Sequence, residues 1–177
     1  ADKVFYADGI GPGGNNQTKH WARHYVQPTP ATAFSIAFEH RAELGTGYLF
    51  DLEVEQRAPV TRRYRMRIDG NGAVSLWRTT AGVHSQVAAT GSGTIPVNQK
   101  RWIRFSIEAD GTGHPRVRVR VWGTSAASEP ATWTLDHLDA NDTIDRVHRI
   151  ELTADGPRGI ETWVDDLDVW GDGSEGC

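Results

Sequence analysis

Apolar residues recur at every second position along most of this chain, and that alternation constrains its fold more than any other feature. Phe34, Ile36 and Phe38 alternate with Ser35, Ala37 and Glu39. Tyr48, Phe50, Leu52 and Val54 alternate with Leu49, Asp51, Glu53 and Glu55. The same rhythm runs through Tyr64–Met66–Ile68, Val74–Leu76, Ile103–Phe105–Ile107, Val117–Val119–Val121 and Ile150–Leu152, and ends with Leu167 and Val169. Side chains of a strand point alternately to its two faces, so a period of two means strands with one face buried. Turn residues punctuate the runs: Gly45-Thr46-Gly47, Asp69-Gly70-Asn71-Gly72, Ala81-Gly82, Gly91-Ser92-Gly93, Asp110-Gly111 and Asp155-Gly156-Pro157. No segment carries a helical period. Many short strands with regular turns predict an all-β, two-sheet antiparallel β-sandwich.

The chain has 177 residues, enough for one domain with a sizeable core. It reads as a single sandwich domain over 1–177, with an arm or loop and the first strand in 1–30 and a flexible tail at 171–177. A net charge of −4 gives no general attraction to nucleic acid. No run approaches the roughly 20 apolar residues that span a bilayer as a helix. The single cysteine, Cys177, permits no internal disulfide. The residues at Ala1 are not expected to be a secretory signal peptide. The sequence therefore reads either as the mature or excised part of a secreted protein, or as a product whose initiator Met was removed before Ala1. The second alternative fits a virion protein, because phage particles leave the cell by lysis.

Between the apolar positions lie rows of charge. Asp51, Glu53 and Glu55 form an acidic row; Arg63, Arg65 and Arg67 form a basic row on the following strand; Arg116, Arg118 and Arg120 form another. If the first two strands make a hairpin, opposite charges face each other, each pair contributing about 0.2–1 kcal/mol. The alternative use of such arginines is to grip acidic sugars, their planar guanidinium groups matching carboxylate, sulfate or phosphate oxygens; a third is a protein interface. Seven tryptophans are many for this length, and exposed rings are what stacking on sugar requires. Trp21 and Tyr25 lie in the basic, aromatic stretch Lys19-His20-Trp21-Ala22-Arg23-His24-Tyr25, read as a loop, and Trp77 precedes Arg78 at a strand end. Trp21, Tyr25, Trp77 and Arg78, with the six arginines above, are the candidate ligand-binding residues. The seven histidines form no zinc pattern: His20 and His24 lack a third ligand. No nucleophile-elbow motif marks a Ser-His-Asp site.

Several motifs in the second half carry a family resemblance: Gly111-Thr112-Gly113-His114-Pro115, Val121-Trp122, Glu129-Pro130-Ala131-Thr132-Trp133 and Asp165-Asp166-Leu167-Asp168-Val169. Together they resemble the C-terminal half of a concanavalin A-like (laminin-G-like) jelly-roll domain, of the kind found in carbohydrate-binding modules and in phage surface or tail proteins. The resemblance covers roughly the last 75 residues by motif and the rest by pattern. It implies a jelly roll, with Trp102, Trp122, Trp133 and Trp163 as structural plugs. It also implies a structural calcium near the junction of first and last strands, for which Asp8, Asp165 and Asp166 are the candidate ligands.

Glycanases on this fold use a carboxylate pair. The Asp51-Leu52-Glu53-Val54-Glu55 row resembles the acidic strand of laminarinase-type enzymes but departs from their E-x-D-x-x-E order, so no catalytic residue is assigned and the chain is expected not to be an enzyme. The expected role is non-catalytic carbohydrate binding or adhesion on a secreted protein or virion surface, with a cell-surface or extracellular glycan as partner and multimeric display. The alternative is a structural virion protein docking onto neighbouring virion proteins, and the third is a glycan-cleaving enzyme. Neither nucleic-acid binding nor membrane insertion is expected.

Overall fold

Strands β4 (Leu49–Gln56) and β5 (Arg62–Asp69) form an antiparallel hairpin whose register pairs Asp51 with Arg67, Glu53 with Arg65 and Glu55 with Arg63. The same register sets Phe50 beside Ile68, Leu52 beside Met66 and Val54 beside Tyr64, all fully buried. One register thus serves an apolar row inside and a charged row outside. A slip of one residue would exchange the two faces.

The computed structural model describes residues 5–8, 17–24, 33–42, 49–56, 62–123, 125–142, 147–156 and 161–171. At 5–8, 17–24, 33, 42, 56, 147–149, 156, 161–163 and 165–171 it describes the backbone alone. The remaining strands are β1 (Phe5–Asp8), β2 (Gln17–His24), β3 (Ala33–Ala42), β6 (Val74–Thr80), β7 (Val83–Ala89), β8 (Arg101–Ala109), β9 (Pro115–Trp122), β10 (Leu135–Leu138), β11 (Val147–Gly156) and β12 (Glu161–Gly171). They form two six-stranded sheets: sheet I in the order β1-β12-β3-β8-β9-β10 and sheet II in the order β2-β11-β4-β5-β6-β7. Every pairing is antiparallel. Among the described residues the only helical element is one 3-10 turn, Ala126–Ser128.

The core lies between the sheets. Phe34, Ile36 and Phe38 of β3, with Ile103, Phe105 and Ile107 of β8, face Phe50, Leu52, Met66 and Leu76 of sheet II. The segment read as a loop around Trp21 is instead strand β2, an edge strand paired to β11. Its Lys-His-Trp-Ala-Arg-His composition lacks alternation, and pairing with β11, rather than its own pattern, accounts for the strand. β7 and β10 are also edge strands, where half-buried side chains need not alternate in polarity.

A buried polar cluster joins the sheets at one end. Tyr64 and Arg78 point inward from β5 and β6 to the loop after β10. Arg78 Nη1 donates to both oxygens of Asp139 at 2.7 and 2.9 Å, and the Tyr64 hydroxyl donates to Asp139 Oδ2 at 3.1 Å. Arg62 Nη1 lies 2.5 Å from Asp142 Oδ1. Burial, then the Asp139 and Asp142 carboxylates, push the Tyr64 phenol far above its usual range, so it stays protonated and donates. Asp139 and Asp142 are almost wholly buried, a position a carboxylate holds only when paired. Replacing Tyr64 by Phe should cost about 1–3 kcal/mol, through carboxylates left short of a donor. Arg78→Ala should cost roughly 3 kcal/mol or more, as one side of a buried pair is removed. Urea unfolding followed by circular dichroism measures both; losses below half a kcal/mol would show that the cluster holds nothing.

His40 of β3 is fully buried against the Phe50 ring, 4.8 Å between centroids. Burial lowers its imidazole from 6.5 to about 3. The unfolded chain therefore takes up a proton below pH 6.5 that the folded chain refuses until about pH 3. Stability should fall as pH drops through that window, by up to about 1.4 kcal/mol per unit. Unfolding measured between pH 7 and 5 should show this slope in the parent and a shallower one in His40→Leu; equal slopes would contradict it.

Candidate functional site

Because Phe50, Leu52 and Val54 face the core, Asp51, Glu53 and Glu55 lie on the outer face of sheet II, as do Arg63, Arg65 and Arg67. The ion pairs zigzag along the hairpin. Arg67 Nε and Nη2 hold Asp51 through two bonds of 2.8 Å. Arg65 Nε and Nη2 bind Glu53 Oε2 at 3.0 and 2.6 Å, and its Nη1 lies 3.6 Å from Asp51. Arg63 reaches Glu53 and Glu55, each at 3.1 Å. Glu53, in the middle, is only 7% exposed. The cross-strand pairing expected from the sequence is present, and it fixes the guanidinium groups in place.

Strand β6 extends this face. Trp77 is in register with Arg65, and Thr79 with Arg63. The Trp77 indole donates to Ser75 Oγ at 2.9 Å, and the Arg67 guanidinium lies 5.7 Å from its ring centre. A register shift between Leu76 and Trp77 sets Gln86 of β7 opposite Trp77 and His84 opposite Thr79. Bulges re-aim side chains in this way. At the end of this hairpin, Arg63, Thr79, Ala81, Gly82 and His84 line a depression of about 420 Å³. The turn itself is tight, with Ala81 at φ 50° and Gly82 at φ 82°, the left-handed pair that a two-residue hairpin requires.

The other basic row has a different fate. Arg116, Arg118 and Arg120 lie on the outer face of sheet I, and the segment from Ser125 to Thr134 folds back over that face as a strap. Glu129 accepts two bonds of 2.7 Å from Arg104 and one of 2.6 Å from Arg120. The Trp133 ring sits 4.2 Å from the Arg118 guanidinium and 3.8 Å from that of Arg120, close cation–π contacts. Burial would raise the Glu129 carboxyl, but the two arginines hold it below the usual carboxylate range. Arg118 also pairs with Glu108, and Arg116 holds Asp136 through two bonds of 2.7 Å. Trp102 and Trp122 stack 6.1 Å apart, and the Trp122 indole donates to Ser125 O at 2.9 Å. These tryptophans are buried on the outside of sheet I at the base of the strap, not inside the sandwich.

The expected ligand residues therefore do not form one site. Trp77, Arg63, Arg65 and Arg67 share the outer face of sheet II. Arg116, Arg118 and Arg120 lie on the opposite side of the molecule, engaged by the chain's own acids and Trp133. Arg78 is corrected as a companion of Trp77: neighbouring residues of a strand face opposite ways, and Arg78 points inward to Asp139. Trp21 is in register with Leu152, its side chain outside the described residues, and Tyr25 lies outside them altogether. For calcium, Asp8 is in register with Glu161, four positions from Asp165, or about 13 Å along the strand. Asp166 falls at the register shift between Asp165 and Asp168. The side chains of Asp8, Asp165 and Asp166 lie outside the described residues, among which no cluster of three metal-ligating side chains occurs. The sequence reading missed His84 and Gln86, although the Ala81-Gly82 turn after β6 was the signal for a further hairpin strand.

No family profile matches the sequence, and no curated protein is similar to it. Solved structures match it in fold. The β-glucanase of Bacillus licheniformis aligns over 82% of this chain and 68% of its own, with a TM-score of 0.55 and 8% identity. Sheep galectin-11 aligns over 91% and 100%, at 0.54 and 8%. A prokaryotic β-1,3-1,4-glucanase (lichenase) derived from a mouse hindgut metagenome aligns over 95% and 92%, at 0.55 and 11%. The chain has the concanavalin-like jelly-roll sandwich. The expectation that it is not an enzyme is corrected: glucanases share this sandwich as closely as the galectin does, so the departure from one acidic motif does not exclude catalysis.

The strap makes its own prediction. Glu129→Ala should remove its ion pairs to Arg104 and Arg120, so that proteolysis between Ser125 and Thr134 quickens at least several-fold while the urea midpoint moves little. Unchanged cleavage would show that Glu129 is not the latch.

Proposed function

We propose that this domain recognises carbohydrate through the outer face of sheet II. The observation that carries this reading is the placement of Trp77. Its ring is pinned on an outer sheet face beside Arg65 and Gln86, whereas on the competing arginine face the strap covers Arg118 and Arg120. A fixed aromatic ring offers the apolar side of a pyranose a stacking surface, and the flanking amide and guanidinium groups supply donors for its hydroxyls. The fold shared with glucanases and a galectin supports the same reading. A shallow face of this kind binds weakly per site, so display in many copies on a secreted or virion surface would supply avidity.

A second reading has its own observation. Asp51, Glu53 and Glu55 stand on one strand face about 7 Å apart in succession, within the range of carboxylate separations used to hydrolyse glycosidic bonds. In that reading the same face cleaves the glycan it holds.

A glycan array probed with multimerised protein tests recognition, and a reducing-end assay on the bound glycans tests turnover. Binding to one glycan class should be lost, by roughly tenfold or more, in Trp77→Ala with its circular dichroism unchanged. New reducing ends that disappear in Glu53→Gln would establish cleavage. A folded protein silent on the array and forming a stable oligomer would overturn the proposal in favour of a structural role.

A further inference from the structure

We infer that the depression at the β6–β7 turn is an anion subsite, taking the carboxylate or sulfate of an acidic sugar next to the ring stacked on Trp77; this rests on the glycan reading above. Five residues line it, Arg63, Thr79, Ala81, Gly82 and His84, and none is acidic. Arg63 is the most open of the three ladder arginines, its side chain 35% exposed against 23% for Arg65 and Arg67. It spends Nη1 on Glu53 and Nε on Glu55, and its Nη2 bonds nothing among the described residues.

Across the depression, His84 Nδ1 and the Thr79 hydroxyl are 2.8 Å apart. When the hydroxyl donates to Nδ1, the imidazole proton sits on Nε2, which also bonds nothing among the described residues. The imidazolium would donate from Nε2 as well. In that tautomer, and in the imidazolium, two donor nitrogens stand unused in one depression, Arg63 Nη2 and His84 Nε2, held by β4 acids behind and by Thr79 beneath. Thr79 follows Trp77 by two positions on the same face, about 7 Å along the strand, roughly one sugar unit. The Ala81-Gly82 turn closes the end with no side chain beyond a methyl, leaving the mouth open.

The test compares glycans that differ only in charge. Oligogalacturonate and its methyl ester form the carboxylate arm; chondroitin sulfate and desulfated chondroitin form the sulfate arm. Calorimetry on the parent, Arg63→Gln, His84→Ala and, as a remote control, Arg116→Gln should show one acidic form preferred by tenfold or more. That preference should shrink to near unity in Arg63→Gln, fall several-fold in His84→Ala and stay intact in Arg116→Gln. His84→Ala lies on an edge strand and keeps the test valid should Arg63→Gln fail to fold. Neutral forms binding as tightly as acidic ones would overturn the subsite and leave glycan recognition standing. An acidic preference that survives in Arg63→Gln and His84→Ala, or is lost in Arg116→Gln, would also overturn it. Absence of binding to all four, together with array silence, would remove the glycan reading and the subsite with it.

Discussion

The hairpin of β4 and β5 satisfies two demands with a single register. Inside, Phe50, Leu52 and Val54 must meet Ile68, Met66 and Tyr64 in the core. Outside, Asp51, Glu53 and Glu55 must meet Arg67, Arg65 and Arg63. A one-residue slip of either strand would drive its three charged groups, carboxylates of β4 or guanidinium groups of β5, into a dry interior, where an unpaired charge costs several kcal/mol. The cross-strand ion pairs contribute about 0.2–1 kcal/mol each, so their contribution is to specificity of register more than to depth of stability. Everything outward on sheet II inherits its position from this pairing, including Trp77 through β6 and His84 through β7.

The two faces of the sandwich are treated in opposite ways. On sheet I the strap from Ser125 to Thr134 seats Glu129 between Arg104 and Arg120 and lays Trp133 over Arg118 and Arg120. Arginines that look like a binding surface in one dimension are there to hold a piece of the chain. On sheet II the ladder satisfies its own charges, and no described segment folds over it in the same way. The buried cluster of Arg62, Tyr64, Arg78, Asp139 and Asp142 ties the sheets together at the end of β5 and β6.

The sheets, the buried rows and the β4–β5 charge pairing were legible because period-two alternation reports burial directly. Strands β2, β7 and β10 were not, since an edge strand is held by one neighbour and leaves little mark on polarity. The site was legible only in part. Trp77 and the ladder arginines stood out, but composition alone cannot tell which sheet a row of arginines belongs to or what lies against it. Arg78 was misassigned because adjacency in sequence was taken for adjacency in space, which a strand forbids. Nothing in the Asp-Ala-Asn-Asp stretch singles out Asp139 and Asp142, and only the fold brings Arg62 and Arg78 to them.

The central claim is that glycan meets this domain on the outer face of sheet II and not on sheet I. Tryptophan indole N–H resonances, assigned by single Trp→Phe replacements, test it directly during titration with soluble oligosaccharides of the class that binds on the array. The account predicts that the Trp77 indole signal shifts in a saturable way while those of Trp102, Trp122 and Trp133 stay fixed. Shifts confined to Trp122 and Trp133, with Trp77 unmoved, would contradict it and move the site to the strap.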